Sequence, residues 1–295
     1  NHKKNKGLLK KDLFIYHSRE FKLSFFTSGR SSLFKLLVSL NYKKKFKVGL
    51  QAFTCSVVPK AIIDAGGMPI YIDLEIETLS MDIEELKKKI RNLDVIILQY
   101  TFGFTPKYLR SIVNLCKERS KILILDKAHC MPEILNEEVY NLESMSYGIF
   151  YSTDHTKAIN AIRGGICFSK KKIHFPSIYS KQIKINLPSL YESIFYKEFL
   201  YILARISSLL MRIFCFSYMP QDNSDIRILS NENVSLSWYT IVLDQLRKSK
   251  KRSINIKKFS FIVKESFNNK KLCKPLFNKE LLTTPLRLPI LFDNK

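Results

Sequence analysis

The sequence predicts an α/β fold with a mostly parallel sheet covered on both faces, and three observations predict it. Between Lys47 and about Ser169, short β-rich runs alternate with longer helical patterns, the order that βα units produce. Several of those runs, VIIL and ILIL among them, are apolar at every position, as strands buried on both sides must be. The chain has 295 residues, 46% hydrophobic and 25% charged. That is enough for one large domain with a smaller companion, and it excludes disorder and collagen-like repeats.

The expected strands are 47–50 (KVGL), 69–72 (PIYI), 94–99 (DVIILQ), 121–125 (KILIL), 147–151 (YGIFY) and 164–168 (GGICF). Helical patterns lie between them. Met81 to Arg91 carries Met81, Ile83, Leu86 and Ile90 on one side, and Tyr108 to Glu118 is a second example. A polar cluster at 27–29 opens a further amphipathic helix through 37. Beyond Ser169 come a basic loop, an apolar stretch from Ile194 to Met219, and a polar region around Pro220 to Asp225. A long helix is expected from about Asn233 past Leu246, leading into a Lys-rich segment, and 285–292 (PLRLPILF) fits a strand opening a second, incomplete domain. The expected division is a large domain over 1–225 and a linking helix with a truncated small domain over 226–295.

The formal charge is +23, from 49 Lys plus Arg against 26 Asp plus Glu. Of the 49 cations 37 are Lys and 12 are Arg, whereas phosphate and base recognition lean on Arg forks. An accompanying richness in Asn and Ile fits compositional drift, so nucleic acid is not the expected partner. The excess is uneven, with seven cations and no acid over 155–191 and ten cations against Glu265 alone over 247–271. Such runs attract phosphorylated ligands or anionic surfaces. Six cysteines include no CxxC pair and fit reduced core thiols in a cytoplasmic protein without a signal peptide. No metal site is expected. The 194–219 stretch is interrupted by Lys197, Glu198, Arg205 and Arg212, so it fits an amphipathic helix packed on a partner or lying on a membrane surface, not a spanning one.

Three segments could carry chemistry. In 27–37 (TSGRSSLFKLL), hydroxyls and free amides at a helix start bind phosphate, although Ser and Thr there also serve as plain N-caps. Asp126 ends a buried strand, where open α/β sheets place ligands, or else it caps the element that follows. In 152–165 (STDHTKAINAIRGG), Lys157 sits among hydroxyls after a strand and before a Gly pair. A lysine there can act as a carbonyl-reactive amine, while any one of so many lysines is by default a surface cation.

In order, TSGRSSLFKLL, LQAFTCSVVPKAIIDAGGMPIYIDLEIETLSMD, DVIILQYTFGF, KILILDKAHC and GIFYSTDHTKAINAIRGGICFS resemble the DegT/DnrJ/EryC1/StrS family of pyridoxal-phosphate-dependent sugar aminotransferases. The match runs from about Phe25 to Ser169, and ILSNENVSLSWYTIVLDQLRKSKKR is similar to the family's long interdomain helix. The resemblance implies an aspartate-aminotransferase-like (fold type I) large domain. It implies that Lys157 is the Schiff-base lysine and proton carrier, that Asp126 pairs with the pyridine nitrogen, and that His129 lies beside the ring and its phenolic oxygen. It implies a phosphate cradle from Ser28, Gly29, Arg30 and Ser152, with Asn231 reaching a neighbouring copy's phosphate.

There are departures. Cys55 stands where the family stacks an aromatic on the ring, with Phe53 and Phe102 near in sequence. Asp154 and His155 alter the usual order, Lys127 replaces a small residue, and Asn233 replaces an Arg. The resemblance implies amino transfer from glutamate to a nucleotide-diphosphate keto-sugar for surface polysaccharide, in a cytoplasmic homodimer with shared sites. Two alternatives stay open: a degenerate member without transaminase activity, and a basic protein that binds nucleic acid or a membrane surface.

Overall fold

In the computed structural model, the described residues are 2–17, 20–173 apart from 155 and 162, 234, 236–267, 273–275, 286 and 290–292. The 194–219 stretch, Asn231, Asn233 and most of the 155–191 run lie outside them. Nine strands and seven α-helices are described. They are α1 (His2–His17), β1 (Lys22–Phe26), α2 (Gly29–Val38), β2 (Phe46–Gln51), α3 (Val57–Asp64), β3 (Gly67–Ile72), α4 (Ile83–Lys89), β4 (Val95–Gln99), α5 (Leu109–Glu118), β5 (Ile122–Asp126), α6 (Glu137–Ser144), β6 (Gly148–Ser152), β7 (Gly165–Ser169), α7 (Leu236–Phe267), β8 (Cys273–Pro275) and β9 (Ile290–Phe292).

The main sheet has the order β1-β7-β6-β5-β4-β2-β3. Strands β2 to β6 pair parallel, while β7 runs antiparallel to both β6 and β1. The order reverses between β2 and β4, since β3 lies outside β2 and the chain then crosses back. Such a switch opens a crevice at the carboxyl ends of the strands. Gln51, Gln99, Asp126 and Ser152 are the final residues of β2, β4, β5 and β6.

Side chains alternate across each strand, and two cores result. Val95, Ile97, Ile124 and Phe150 pack with α2 and α3 through Leu33, Leu37, Ala61 and Ile62. Ile96, Leu98, Leu123, Leu125 and Ile149 pack against Leu86, Ile112, Val139, Val242 and Leu246 on the other face. This explains the continuous apolar runs: every position has a core to enter. The same parity aims Gln99, Asp126 and Ser152 toward the α2 side and turns Lys127 to the opposite side.

Local chemistry sets the helix starts. Asp82 accepts the Glu84 and Glu85 N–H groups at 2.9 Å, Glu84 and Glu85 occupy the first turn of α4, and Lys87, Lys88 and Lys89 the last, each charge matching the helix dipole. Asn136 caps α6 through Val139 N–H at 2.8 Å. Helix α7 runs 32 residues through the Lys-rich segment expected to follow it, because Lys and Arg are good helix formers. Its start buries Trp238, Tyr239, Val242 and Leu246 beside Leu9 and Leu13 of α1.

Two described strands answer to 285–292 and its surroundings: β8 and β9 pair antiparallel, with Cys273 opposite Phe292. Among the described residues no helix is long and apolar enough to cross a membrane. Cys116, Cys130 and Cys167 are buried free thiols, and Cys55 is exposed. Burial pushes the Cys116 thiol up to about 12 and raises Cys130 and Cys167 further, so these three are inert core thiols as expected.

Candidate active site

The carboxyl edge of the sheet gathers the candidates. Asp126 is 2% exposed and its Oδ1 accepts the Ala128 N–H at 2.9 Å. It therefore caps the turn after β5 rather than a helix, and still faces the crevice. Burial raises its carboxyl from 3.8 to about 6, against the lowering effects of the Ala128 N–H and the Lys157 ammonium. Asp126 and Lys157 are thus electrostatic neighbours, though β5 and the 153–164 segment are separated by α6 and β6 in the chain. Among the described residues the Ala128 N–H and the Lys157 ammonium only partly offset the burial of a charged carboxylate here, so a cation placed against it would be favoured.

Lys157 is half-buried and its N–H donates to Asp154 C=O at 3.0 Å. Four groups brace the segment around it. Thr153 N–H donates to Gly164 C=O at 2.9 Å and Ala161 N–H to Thr153 C=O at 3.0 Å. The Trp238 indole N–H reaches Thr153 Oγ1 at 2.9 Å and Arg163 C=O at 2.7 Å. From the same helix, the Arg252 guanidinium donates to Ala158 C=O at 3.1 Å. Neither Trp238 nor Arg252 is singled out by sequence reasoning; the one usable signal is that Trp238 is the chain's only tryptophan.

Ser28, Gly29 and Ser152 come together as expected. Ser28 forms a parallel bridge with Gly164, which sets the start of α2 against the ends of β6 and β7. A Cβ on Gly29 would lie 2.8 Å from Ser152 Cβ, and one on Gly165 would overlap the Ser28 carbonyl oxygen and the Ser32 hydroxyl. Gly164 has φ of 122°, a conformation that suits glycine. The Gly pair thus permits the close approach that puts helix amides beside the strand ends. Ser28 also serves as a plain N-cap, its Oγ accepting the Ser31 N–H at 3.1 Å and sharing a hydrogen bond with Ser31 Oγ at 2.8 Å. The first amides of a helix point out of its end, so those of Gly29 and Arg30 are placed to contact an anion there.

His129 lies beyond Asp126 and its Nδ1 accepts the Phe102 N–H at 3.1 Å. The Phe102 and His129 rings are 9° from parallel with centroids 6.0 Å apart, and Phe53 meets Phe102 edge-on at 6.0 Å. Phe53 and Phe102, the aromatics weighed in place of Cys55, are therefore both on this edge. Thr54 Oγ1 donates to Gln99 Oε1 at 2.7 Å, tying the Phe53–Cys55 loop to the end of β4. Lys127, expected to need room, has found it in the opposite core: its Nζ is 2.8 and 3.0 Å from the Glu143 carboxylate oxygens.

These residues fit pyridoxal 5′-phosphate. The buried, undercompensated Asp126 suits a protonated pyridine nitrogen, and the glycine-lined start of α2 offers amides and hydroxyls to a phosphate. An amine, Lys157, lies within electrostatic reach of Asp126.

The sequence profile of the DegT/DnrJ/EryC1/StrS aminotransferase family matches residues 5–176. A dTDP-4-dehydro-2,3,6-trideoxy-D-glucose 4-aminotransferase from Saccharopolyspora spinosa is 25% identical over 104 residues, 35% of this chain and 27% of that protein. GDP-perosamine synthase from Vibrio cholerae is 23% identical over 148 residues, 50% of this chain and 40% of that one. The chain spans less than half the length of the curated relatives it matches. Among solved structures, Helicobacter pylori PseC, an aminotransferase involved in the biosynthesis of pseudoaminic acid, superposes with TM-score 0.70 at 15% identity, covering 98% of this chain and 70% of that one. That likeness shows the fold, a fold type I α/β large domain.

Proposed function

Because this chain belongs to the DegT/DnrJ/EryC1/StrS aminotransferase family, we propose that it uses pyridoxal 5′-phosphate to move an amino group from an amino acid, glutamate by expectation, to a nucleotide-linked keto-sugar. The observation that carries the reading is the pairing of a buried, undercompensated Asp126 with Lys157 beside a glycine-lined helix start. When bound, the cofactor supplies an electron sink for bond changes at the substrate carbon. Asp126 would hold a proton on the ring nitrogen by keeping a negative charge against it. Lys157 would take the proton from the substrate carbon and return it on the same face. The Gly29 and Arg30 amides, with the Ser28 and Ser152 hydroxyls, would anchor the phosphate. Neutral His129 would donate a hydrogen bond to the ring's phenolic oxygen.

In this proposal residues 1–225 form the cofactor domain and 226–295 the linking helix and part of a small domain. The working form is a cytoplasmic homodimer, with Asn231 of each copy serving its neighbour. Light scattering on the cofactor-loaded protein tests the dimer. Addition of pyridoxal phosphate should produce a visible absorbance band that Lys157→Ala lacks; no band in the unmodified chain contradicts the cofactor reading.

One observation favours a second reading, cofactor binding without efficient transamination. Cys55 is exposed where the resemblance calls for a stacking aromatic. A band that glutamate fails to bleach supports this second reading, and a bleached band supports the first.

A further inference from the structure

Phe102 has φ 53° and ψ 11°, left-handed backbone that costs a non-glycine residue roughly 1–2 kcal/mol. Gly103 follows at φ 91°. The turn around them is held from several sides. Gly103 N–H donates to Tyr100 C=O and Phe104 N–H to Thr101 C=O, both at 3.0 Å, and Tyr100 N–H donates to Asp126 C=O at 2.9 Å. Buried Thr101 donates through Oγ1 to Leu79 C=O at 2.7 Å and accepts from the Gln51 side-chain amide. Leu286 N–H donates to Phe102 C=O at 2.6 Å. The bonds that hold Tyr100 and Thr101 fix the peptide plane carrying the Phe102 N–H, the left-handed Phe102 lets the chain turn away after it, and the N–H points at His129 Nδ1.

We infer that Phe102 is a positioning residue that fixes His129 as the neutral tautomer with its proton on Nε2. A neutral imidazole has one donor nitrogen and one acceptor. An amide aimed at Nδ1 claims the lone pair there, so the proton resides on the far nitrogen. The parallel Phe102 ring adds a second constraint, on the plane of the imidazole rather than on its protonation. Protonating Nδ1 would set two N–H groups against each other, so the ring offers a hydrogen bond without offering a charge. In the cofactor reading, on which this last step rests, Nε2–H is the donor presented to the phenolic oxygen. Leu286, far along the chain, adds its own N–H contact to the same turn.

The test is histidine-labelled 15N NMR on the full chain, before and after addition of pyridoxal phosphate, with His129→Gln assigning the resonance. The expected result without cofactor is a single tautomer, Nδ1 in the unprotonated range and Nε2 in the protonated range. Phe102→Gly keeps the left-handed backbone and its N–H, and should preserve that pattern despite losing the ring. Phe102→Val cannot hold the conformation and should move both nitrogens to averaged values. A protonated Nδ1 or averaged nitrogens in the unmodified chain overturns the inference, as does a Phe102→Gly variant that loses the single tautomer. If Phe102→Val fails to fold, the other two samples still decide. A tautomer fixed without cofactor but an Nε2 unmoved by pyridoxal phosphate keeps the lock and overturns only the contact to the phenolic oxygen.

Discussion

Replacing Lys127 by Met isolates one buried charge and measures what it holds. Lys127 is 1% exposed and Glu143 0%, with Nζ 2.8 and 3.0 Å from the two carboxylate oxygens. The Tyr100 hydroxyl donates to Glu143 Oε1 at 2.7 Å, and Nζ lies 4.8 Å from the Tyr100 ring centre and 5.6 Å from that of Tyr151. Burial works to strip the ammonium of its proton, and the Glu143 carboxylate reverses this, holding Lys127 above the ordinary lysine range. Met matches the stem's volume, so Lys127→Met takes the Lys127 ammonium away from the buried Glu143 carboxylate and keeps the packing. Breaking a pair this deep costs about 3–5 kcal/mol, on the order of 10 °C in Tm for a chain of this size. Urea unfolding followed by circular dichroism reads it. Lys127→Met with Glu143→Gln keeps an acceptor for Tyr100 and removes the stranded charge, so the double variant should recover more than half of the loss. A single variant within about 1 kcal/mol of the parent, or a double variant as damaged as the sum of its parts, refutes the reasoning.

Other consequences follow from the site. Trp238→Phe removes the donor to Thr153 and Arg163 C=O and should cost about 1–3 kcal/mol, with faster hydrogen exchange at the Lys157 and Ala161 amides; unchanged exchange there means α7 does not brace the segment. For Asp126 the folded carboxyl, at about 6, lies above its ordinary 3.8. In cofactor-free protein its contribution to stability is complete below about pH 4 and is lost as pH rises through 6, a swing of roughly 3 kcal/mol. Asp126→Asn should flatten that part of the pH–stability curve, and a slope that persists assigns the effect elsewhere. Gly29→Ala drives a Cβ into Ser152 and should weaken pyridoxal phosphate binding at least about tenfold while costing roughly 1–3 kcal/mol of stability; cofactor titration beside a melt separates the two.

The strands between Phe46 and Ser169 were legible because their apolar runs need no partner to identify them. Strand β1 was not: KLSFF is short and half polar, and only its pairing with β7, Lys22 opposite Ser169, makes it a strand. Helix α1 is Lys-rich, and Leu9 and Leu13 join a core cluster that includes residues of α7, far away in sequence. In the site, the residue types alone left Ser28–Gly29, Asp126 and Lys157 open between chemistry and plain caps or a surface cation, and the resemblance of five ordered motifs to the family carried the reading. Phe102 was noticed as an aromatic, but its left-handed backbone was hidden, because nothing in a phenylalanine signals positive φ. Lys127 could not be placed either, since its partner Glu143 lies 16 residues away on a helix whose facing side only packing decides.

In the proposed function, one lysine among 37 is set apart by its surroundings. Borohydride reduction of the chain loaded with pyridoxal phosphate, followed by peptide mass spectrometry, tests this directly. The cofactor's mass is expected on the Lys157 peptide, and Asp126→Asn should lower the yield. Label spread evenly over surface lysines, or Lys157 unlabelled while others react, would contradict it.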